Sequence, residues 1–234
     1  MTPPRRLAAG EELMDLPAGD AELEASLDHL AGLNRWLGGR RAVLKALVPL
    51  LPDSGTVALL DVGTGSGELP STLVVWAAAH RRRFRIVAAD RHPQTIRIAR
   101  DRTRLHRPIT TTQCDVLRLP YADRSFDFAV LSLTLHHLPD ADRPAALREL
   151  ARVAHRAVIV SELERSWPND LGAKALAATL WRGNRLTRHD APMSVRRAFT
   201  PRELRDVAAE AGLDRVKIER RYFYRLVLVA EVGS

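Results

Sequence analysis

Asp61 is followed by Gly63, Gly65 and Gly67, two residues apart, in the stretch LLDVGTGSGE over residues 59–68. An apolar run entering such a turn reads as a buried strand passing into a helix. Glycine belongs there because the backbone must take positive φ or let a ligand come close. The free N–H groups at the start of the following helix favour an anion. A phosphate-cradling loop needs Gly-Lys-Ser/Thr, whereas Gly67 leads into Glu68 and Leu69, so that chemistry is excluded. A dinucleotide fingerprint needs G-x-G-x-x-G/A; the spacing here is G-x-G-x-G, and Glu68 is a poor neighbour for a pyrophosphate.

The third reading is S-adenosylmethionine, whose zwitterionic amino-acid end tolerates nearby carboxylates. Further stretches agree with it: IVAAD ends in Asp90, QCDV holds Asp115 and Val116, and SFDFAVLSLTLHHLPD carries Ser132, His136 and His137. Together these four stretches resemble, in order, the motifs of class I S-adenosylmethionine-dependent methyltransferases, in the subset that includes menaquinone- and ubiquinone-pathway enzymes. The resemblance implies that Asp61 faces the methionine ammonium and that Gly63, Thr64, Gly65 and Gly67 line the cofactor. It also implies that Asp90 accepts both ribose hydroxyls with Arg91 beside the adenine, that Asp115 holds the adenine amino group next to a Val116 backbone contact, and that Ser132 borders the cofactor. The product would be S-adenosylhomocysteine. One departure is the missing Pro-Gly-Gly before the fifth strand, where Ala154-His155-Arg156 runs from helix to strand.

Methyl transfer from a sulfonium is an in-line displacement on an activated carbon, so the protein must align the nucleophile and exclude water. A phenol or enol must also lose a proton, which a histidine can take. His136 and His137, leaving the fourth strand, are the first candidates; His189, beside Asp190, is the next. Arg182, Arg185, Arg188, Arg196 and Arg197 are candidates for an acidic or enolate substrate, and Trp167 and Trp181 for an apolar wall. No metal site is expected, since no second ligand lies at ligand spacing from the histidines. Cys114, the single cysteine, can form no internal disulfide.

These residues need a frame. Apolar spacing predicts two helices between Asp20 and Leu51, broken at Gly38-Gly39. Strands follow at Val57–Asp61, Phe84–Asp90, Ile109–Asp115, Phe126–Leu133 and Ala157–Glu162, alternating with helices at Glu68–Arg83, Pro93–Leu105 and Arg143–Val153. Residues 163–198 read as an inserted cap around one helix, Leu171–Trp181. Thr200-Pro201-Arg202-Glu203 is a capping box. Two last runs, Arg215–Arg220 and Phe223–Val229, fit an antiparallel hairpin. The expected fold is α/β, a doubly wound, mostly parallel seven-stranded sheet of Rossmann-like type with an antiparallel C-terminal hairpin. Residues 1–51 form a mobile N-terminus and helical lid, and 52–234 the methyltransferase domain.

The 234 residues carry a formal charge of +8, yet all basic residues except Lys45, Lys174 and Lys217 are arginines spread through every segment. So even a bias points away from a nucleic-acid partner. No apolar run approaches a membrane span and no leader is read, which implies a cytoplasmic protein. Monomer and homodimer stay open. LNRWLGGRRAVLKAL and NRLTRHDAPMSVRRAFTPREL resemble a bacterial small-molecule subgroup modifying polyketide-derived phenols, pyrones or quinones. The expected activity is methylation of a small hydrophobic metabolite, on oxygen in preference to carbon. The alternatives are a non-methylating S-adenosylmethionine binder or cyclase, and an RNA methyltransferase.

Overall fold

The computed structural model describes residues 3–7, 20–179, 185–221 and 223–233. Helices α1 (Asp20–Trp36) and α2 (Gly39–Leu47) precede an alternation of β1 (Thr56–Val62), α3 (Glu68–Ala79), β2 (Arg83–Asp90), α4 (Pro93–Thr103), β3 (Ile109–Gln113), β4 (Phe126–Ser132), α5 (Arg143–Val153) and β5 (Ala154–Leu163). Then come α6 (Trp167–Ala178), α7 (Arg185–Arg197), α8 (Pro201–Glu210), β6 (Val216–Arg221) and β7 (Arg225–Glu231). The seven strands form one sheet in the order β3-β2-β1-β4-β5-β7-β6. The pairs among β1 to β5 are parallel, and β7 runs antiparallel to both β5 and β6.

Burial explains the unbroken apolar runs. Leu59, Leu60, Ala129, Val130, Leu131, Val158, Ile159 and Val160 are all fully buried, as befits parallel strands covered on both faces. On one face Leu131, Leu147, Leu150, Phe199 and Leu204 pack with α5 and α8; on the other Leu47, Leu59, Leu73, Phe128 and Ile159 pack with α2 and α3. The strand order reverses between β1 and β4, and a crevice for ligands opens beyond the carboxyl ends of strands at such a point.

Each of the seven expected strands forms, with ends shifted by up to three residues. The helix-to-strand passage that lacks Pro-Gly-Gly is direct: α5 ends at Val153 and β5 starts at Ala154. The cap segment differs from the sequence reading. It contains two helices, α6 beginning at Trp167 and α7 with Pro192 in its interior, which pack on one another. Pro192 and the neighbouring Gly183 and Asn184 mask α7 in the sequence, because proline is expected to end a helix rather than sit within it. Residues 3–7, expected to belong to a mobile start, are tied down. Leu7 N–H donates to the Arg196 carbonyl at 3.1 Å, Arg6 Nε to the Arg197 carbonyl at 3.3 Å, and Arg165 to the Pro4 carbonyl. Trp181 and Arg182 lie outside the described residues.

Helix α1 lies against α4. Leu23 and Leu27 cluster with Ile98, and Arg102 of α4 pairs with Asp28 at 2.6 Å and Glu24 at 3.3 Å. Arg40 of α2 binds Glu68 at 2.9 Å, tying the helix pair to the start of α3.

Candidate active site

The glycine turn takes the conformation its composition demands. Gly63, Gly65 and Gly67 have φ of +67°, +56° and +78°. A Cβ on Gly63 would stand 2.0 Å from Thr134 Oγ1, and one on Gly67 2.6 Å from Thr103 Cγ2, so both are close-approach positions. Gly65 is open by contrast: its nearest neighbour would be Leu27 Cδ2 of α1 at 3.9 Å. The turn is pinned to β2 by Thr64 N–H donating to the Ala89 carbonyl at 2.9 Å.

Asp61, next to the end of β1, is fully enclosed, 1% exposed, and accepts a 2.7 Å bond from Thr64 Oγ1. Burial pushes its carboxyl up to about 7; the Thr64 bond opposes the shift and the nearby Asp90 charge adds to it. Asp90 accepts from Gly65 N–H through Oδ2 and from His92 N–H through Oδ1, both at 3.1 Å. Burial raises Asp90 too, against those two backbone bonds. Each Asp90 oxygen keeps a second lone pair, the complement of a vicinal diol. Asp115 is exposed and accepts from Leu117 N–H at 2.9 Å, while Val116 is buried. Cys114 N–H donates to the Asp90 carbonyl, which sets the end of β2 beside the segment after β3 that carries Asp115. Arg91 is exposed beside them. Burial lifts the Cys114 thiol to about 11, too high for a nucleophile at neutral pH.

Beyond β4 the chain turns sharply. Leu133 has φ +53°, a conformation uncommon outside glycine, and its N–H donates to the Ser161 carbonyl at 2.8 Å. Thr134 Oγ1 then donates to the Ser132 carbonyl at 3.0 Å. This turn delivers a one-turn 3₁₀ helix, Leu135–His137. His136 is 2% exposed and its Nδ1 lies 2.7 Å from Glu162 Oε2; the other carboxyl oxygen, Oε1, accepts from Leu135 N–H at 2.8 Å. Burial alone would raise the Glu162 carboxyl, but the His136 contact, with help from His137 and Leu135, holds it below the usual glutamate range. His136 and His137 have ring centroids 4.4 Å apart.

Two further residues brace this turn, and nothing local in the sequence marks them. Arg143, 1% exposed, donates from Nε to the Leu135 carbonyl at 3.2 Å and lies 5.0 Å over the Phe199 ring. Arg6 lies over the same ring at 5.1 Å. Glu162, the partner of His136, is legible only as the acid at the end of a strand, 26 positions away. His189 is arranged differently: half exposed on α7, it bonds its own neighbour Asp190 at 2.8 Å. Among the cap residues Arg188 is exposed and Arg197 is buried, while Trp167 is 40% exposed. Among the described residues no group of three His, Cys, Asp or Glu side chains is placed to hold a metal.

The sheet order with its reversal between β1 and β4 and the antiparallel β7 is the fold of class I S-adenosylmethionine-dependent methyltransferases, with Asp61, Asp90, Asp115 and the glycine turn at its carboxyl edge. Residues 60–160 match the family described as a methyltransferase domain. It is similar to a demethylmenaquinone methyltransferase of Lactobacillus johnsonii, 28% identical over 147 residues that cover 62% of this chain and 57% of the relative. It therefore spans less than two thirds of that relative's length. In fold it resembles an Aquifex aeolicus S-adenosylmethionine-dependent methyltransferase, with TM-score 0.67, 16% identity, and coverage of 93% of this chain and 100% of the other. It also resembles human N-acetylserotonin methyltransferase in complex with S-adenosylmethionine, with TM-score 0.66, 16% identity, and coverage of 92% and 57%. The residues present fit that cofactor: open backbone over Gly65, free acceptor capacity on Asp90 for a diol, and a buried acid at Asp61 for an ammonium.

Proposed function

We propose that the protein methylates an ionisable oxygen of a small hydrophobic metabolite of the phenol, enol/pyrone or quinone type. The observation that carries the reading is the His136–Glu162 pair, a histidine held by a fully buried carboxylate beside the expected cofactor site. The cofactor supplies a methyl group on a sulfonium, already activated for displacement. This chain's residues do the rest. Asp61 binds the ammonium, Asp90 the ribose and Asp115 the adenine amino group, with Thr64, Arg91, Val116 and Ser132 around them.

Glu162 accepts a hydrogen bond from His136 Nδ1–H and so leaves Nε2 as the basic nitrogen, the arrangement of a base oriented by a third group. A phenolic or enolic O–H carries the acidic proton and most of the charge left behind, which makes oxygen the favoured acceptor. Arg143 keeps the base in place by holding the carbonyl of Leu135. Helix α1, with Leu27 over Gly65, acts as a lid, and α6 and α7 form the cap that excludes water from the acceptor side. The names of the similar proteins, a demethylmenaquinone and an N-acetylserotonin methyltransferase, support a small cyclic acceptor.

The test is incubation with methyl-labelled S-adenosylmethionine and a panel of phenols, pyrones and quinones, followed by analysis of the organic phase. The expected result is label in an organic-soluble ether, lost in His136→Gln. Label on carbon moves the acceptor atom. Label in RNA, or binding without S-adenosylhomocysteine formation, overturns the proposal.

A further inference from the structure

Arg225 opens β7 and is 2% exposed. One guanidinium nitrogen, Nη2, donates to Asn34 Oδ1 of α1 at 2.9 Å; Nε and Nη1 are buried and find no acceptor among the described residues. Glu162 is the charge that acts on it, although the Glu162 oxygens bond Leu135 N–H and His136 and not the guanidinium. Burial accordingly lowers the guanidinium to about 10, with Glu162 opposing the shift. Buried N–H groups on a cation are costly when unmatched, and native proteins rarely leave two.

A second orphan lies next to it. β5 pairs with β7 so that Leu163 faces Arg225 and Ser161 faces Val227. Opposed residues of an antiparallel pair share a face, so Ser161 is one diagonal step from Arg225 on the side covered by α2. Ser161 is fully buried and its Oγ also lacks a partner. Three donors, two on a guanidinium and one on a hydroxyl, thus lie on one sheet face without an acceptor among the described residues. Their complement is an anionic oxygen.

The cofactor's own carboxylate is a poor candidate for it. β7 is three strands from β1, about 14 Å at the usual strand spacing, so Arg225 and Asp61 are too far apart to grip one amino-acid group. The acceptor side is nearer, because β5 also carries Glu162. We infer that Arg225 and Ser161 form an oxyanion subsite that takes a carboxylate or enolate oxygen of the methyl acceptor beneath the α1–α2 junction. This deepens the function proposed above and rests on it.

Helix α1 is the cover of the subsite. Asn34 caps the guanidinium, and a Cβ on Gly39 would stand 1.7 Å from Asn34 Oδ1 and 3.1 Å from Arg225 Cζ, so the junction closes on the cation only because residue 39 has no side chain.

Benzoate, a minimal carboxylate on an apolar ring, and benzamide, its neutral counterpart, are titrated by calorimetry into the protein with and without saturating S-adenosylhomocysteine. Benzoate is expected to bind at least about tenfold more tightly, the scale of a hydrogen bond to a charged group. That preference should disappear in Arg225→Met and shrink in Ser161→Ala, with S-adenosylhomocysteine affinity unchanged. Equal binding of the two probes, failure of both to bind, a preference that survives in Arg225→Met, or competition between benzoate and S-adenosylhomocysteine would each overturn the inference. Should Arg225→Met not fold, Arg225→Lys, which keeps the charge and loses the fork, must weaken the preference. Failure of S-adenosylhomocysteine to bind while the benzoate preference stands would remove the methyltransferase reading and leave the anion subsite.

Discussion

Cofactor binding should expel a proton from Asp61. This carboxyl is buried and stands at about 7, so at pH 6.5 about three quarters of the molecules hold it protonated. The ammonium of an amino acid is fully protonated at that pH, and placing it against Asp61 favours the carboxylate. Binding S-adenosylmethionine or S-adenosylhomocysteine at pH 6.5 is therefore expected to release about 0.7 proton, falling towards zero by pH 8. The measurement is calorimetry in two buffers of different ionisation enthalpy, whose difference in observed heat reports the protons exchanged. Asp61→Asn should abolish the release and weaken binding by about 1.5–3 kcal/mol, the worth of one charge-assisted bond.

The same shift acts on folding. For an acid raised in the folded state, the contribution of Asp61 to the stability of the cofactor-free protein is fully present below the ordinary aspartate range, and up to about 4 kcal/mol of it is lost as the pH climbs from about 4 to 7. Intact binding with no proton exchange between pH 6 and 7.5 would refute the placement of the ammonium on Asp61.

Glu162→Gln keeps the shape but turns an amide donor towards His136 Nδ1, which forces the other tautomer and protonates the nitrogen meant to act as base. We expect kcat to fall by about 10² or more with KM little changed, measured as S-adenosylhomocysteine formed per turnover. Because the Glu162 carboxyl is lowered in the folded protein, wild type should lose its contribution only as the pH falls below the usual glutamate range, and Glu162→Gln should lack that acid-side loss in urea titrations. Gly63→Ala places a side chain at φ +67° and 2.0 Å from Thr134 Oγ1. It should cost about 2 kcal/mol or more and reduce cofactor affinity, with Thr134→Ala restoring only the part due to the clash. Thr200→Ala removes one half of a capping box in which Thr200 Oγ1 accepts from Glu203 N–H and Glu203 accepts from Thr200 N–H. The expected loss is about 1 kcal/mol, read as a fall of roughly 2–4 °C in Tm, with cofactor affinity untouched.

Much of the fold was legible because each element announces itself locally. Apolar runs of parallel-strand length, the glycine turn after Asp61, proline in the first turn of α3 and the Thr200–Glu203 box each state their own conformation in a few residues. The proposed cofactor residues stand out in the sequence for the same reason: Asp61 and Asp90 lie at or next to the carboxyl ends of β1 and β2, and Asp115 lies just after β3, each at a recognisable position. Helix α7 was not legible, since its interior Pro192 contradicts the local rule that tertiary packing overrides.

What the chain could not state by itself is which distant residues become neighbours. Glu162 meets His136 because β4 and β5 pair in register, Ser132 against Ser161, which carries the end of β5 beneath the turn after β4. Arg225 reaches the same edge because β7 inserts antiparallel between β5 and β6, reversing the direction in which its first residue points. Short-range conformational preference is written in sequence windows of a few residues. The chemistry of the acceptor side depends on strand pairing across 26 and 64 positions, and only burial of the whole sheet selects that pairing.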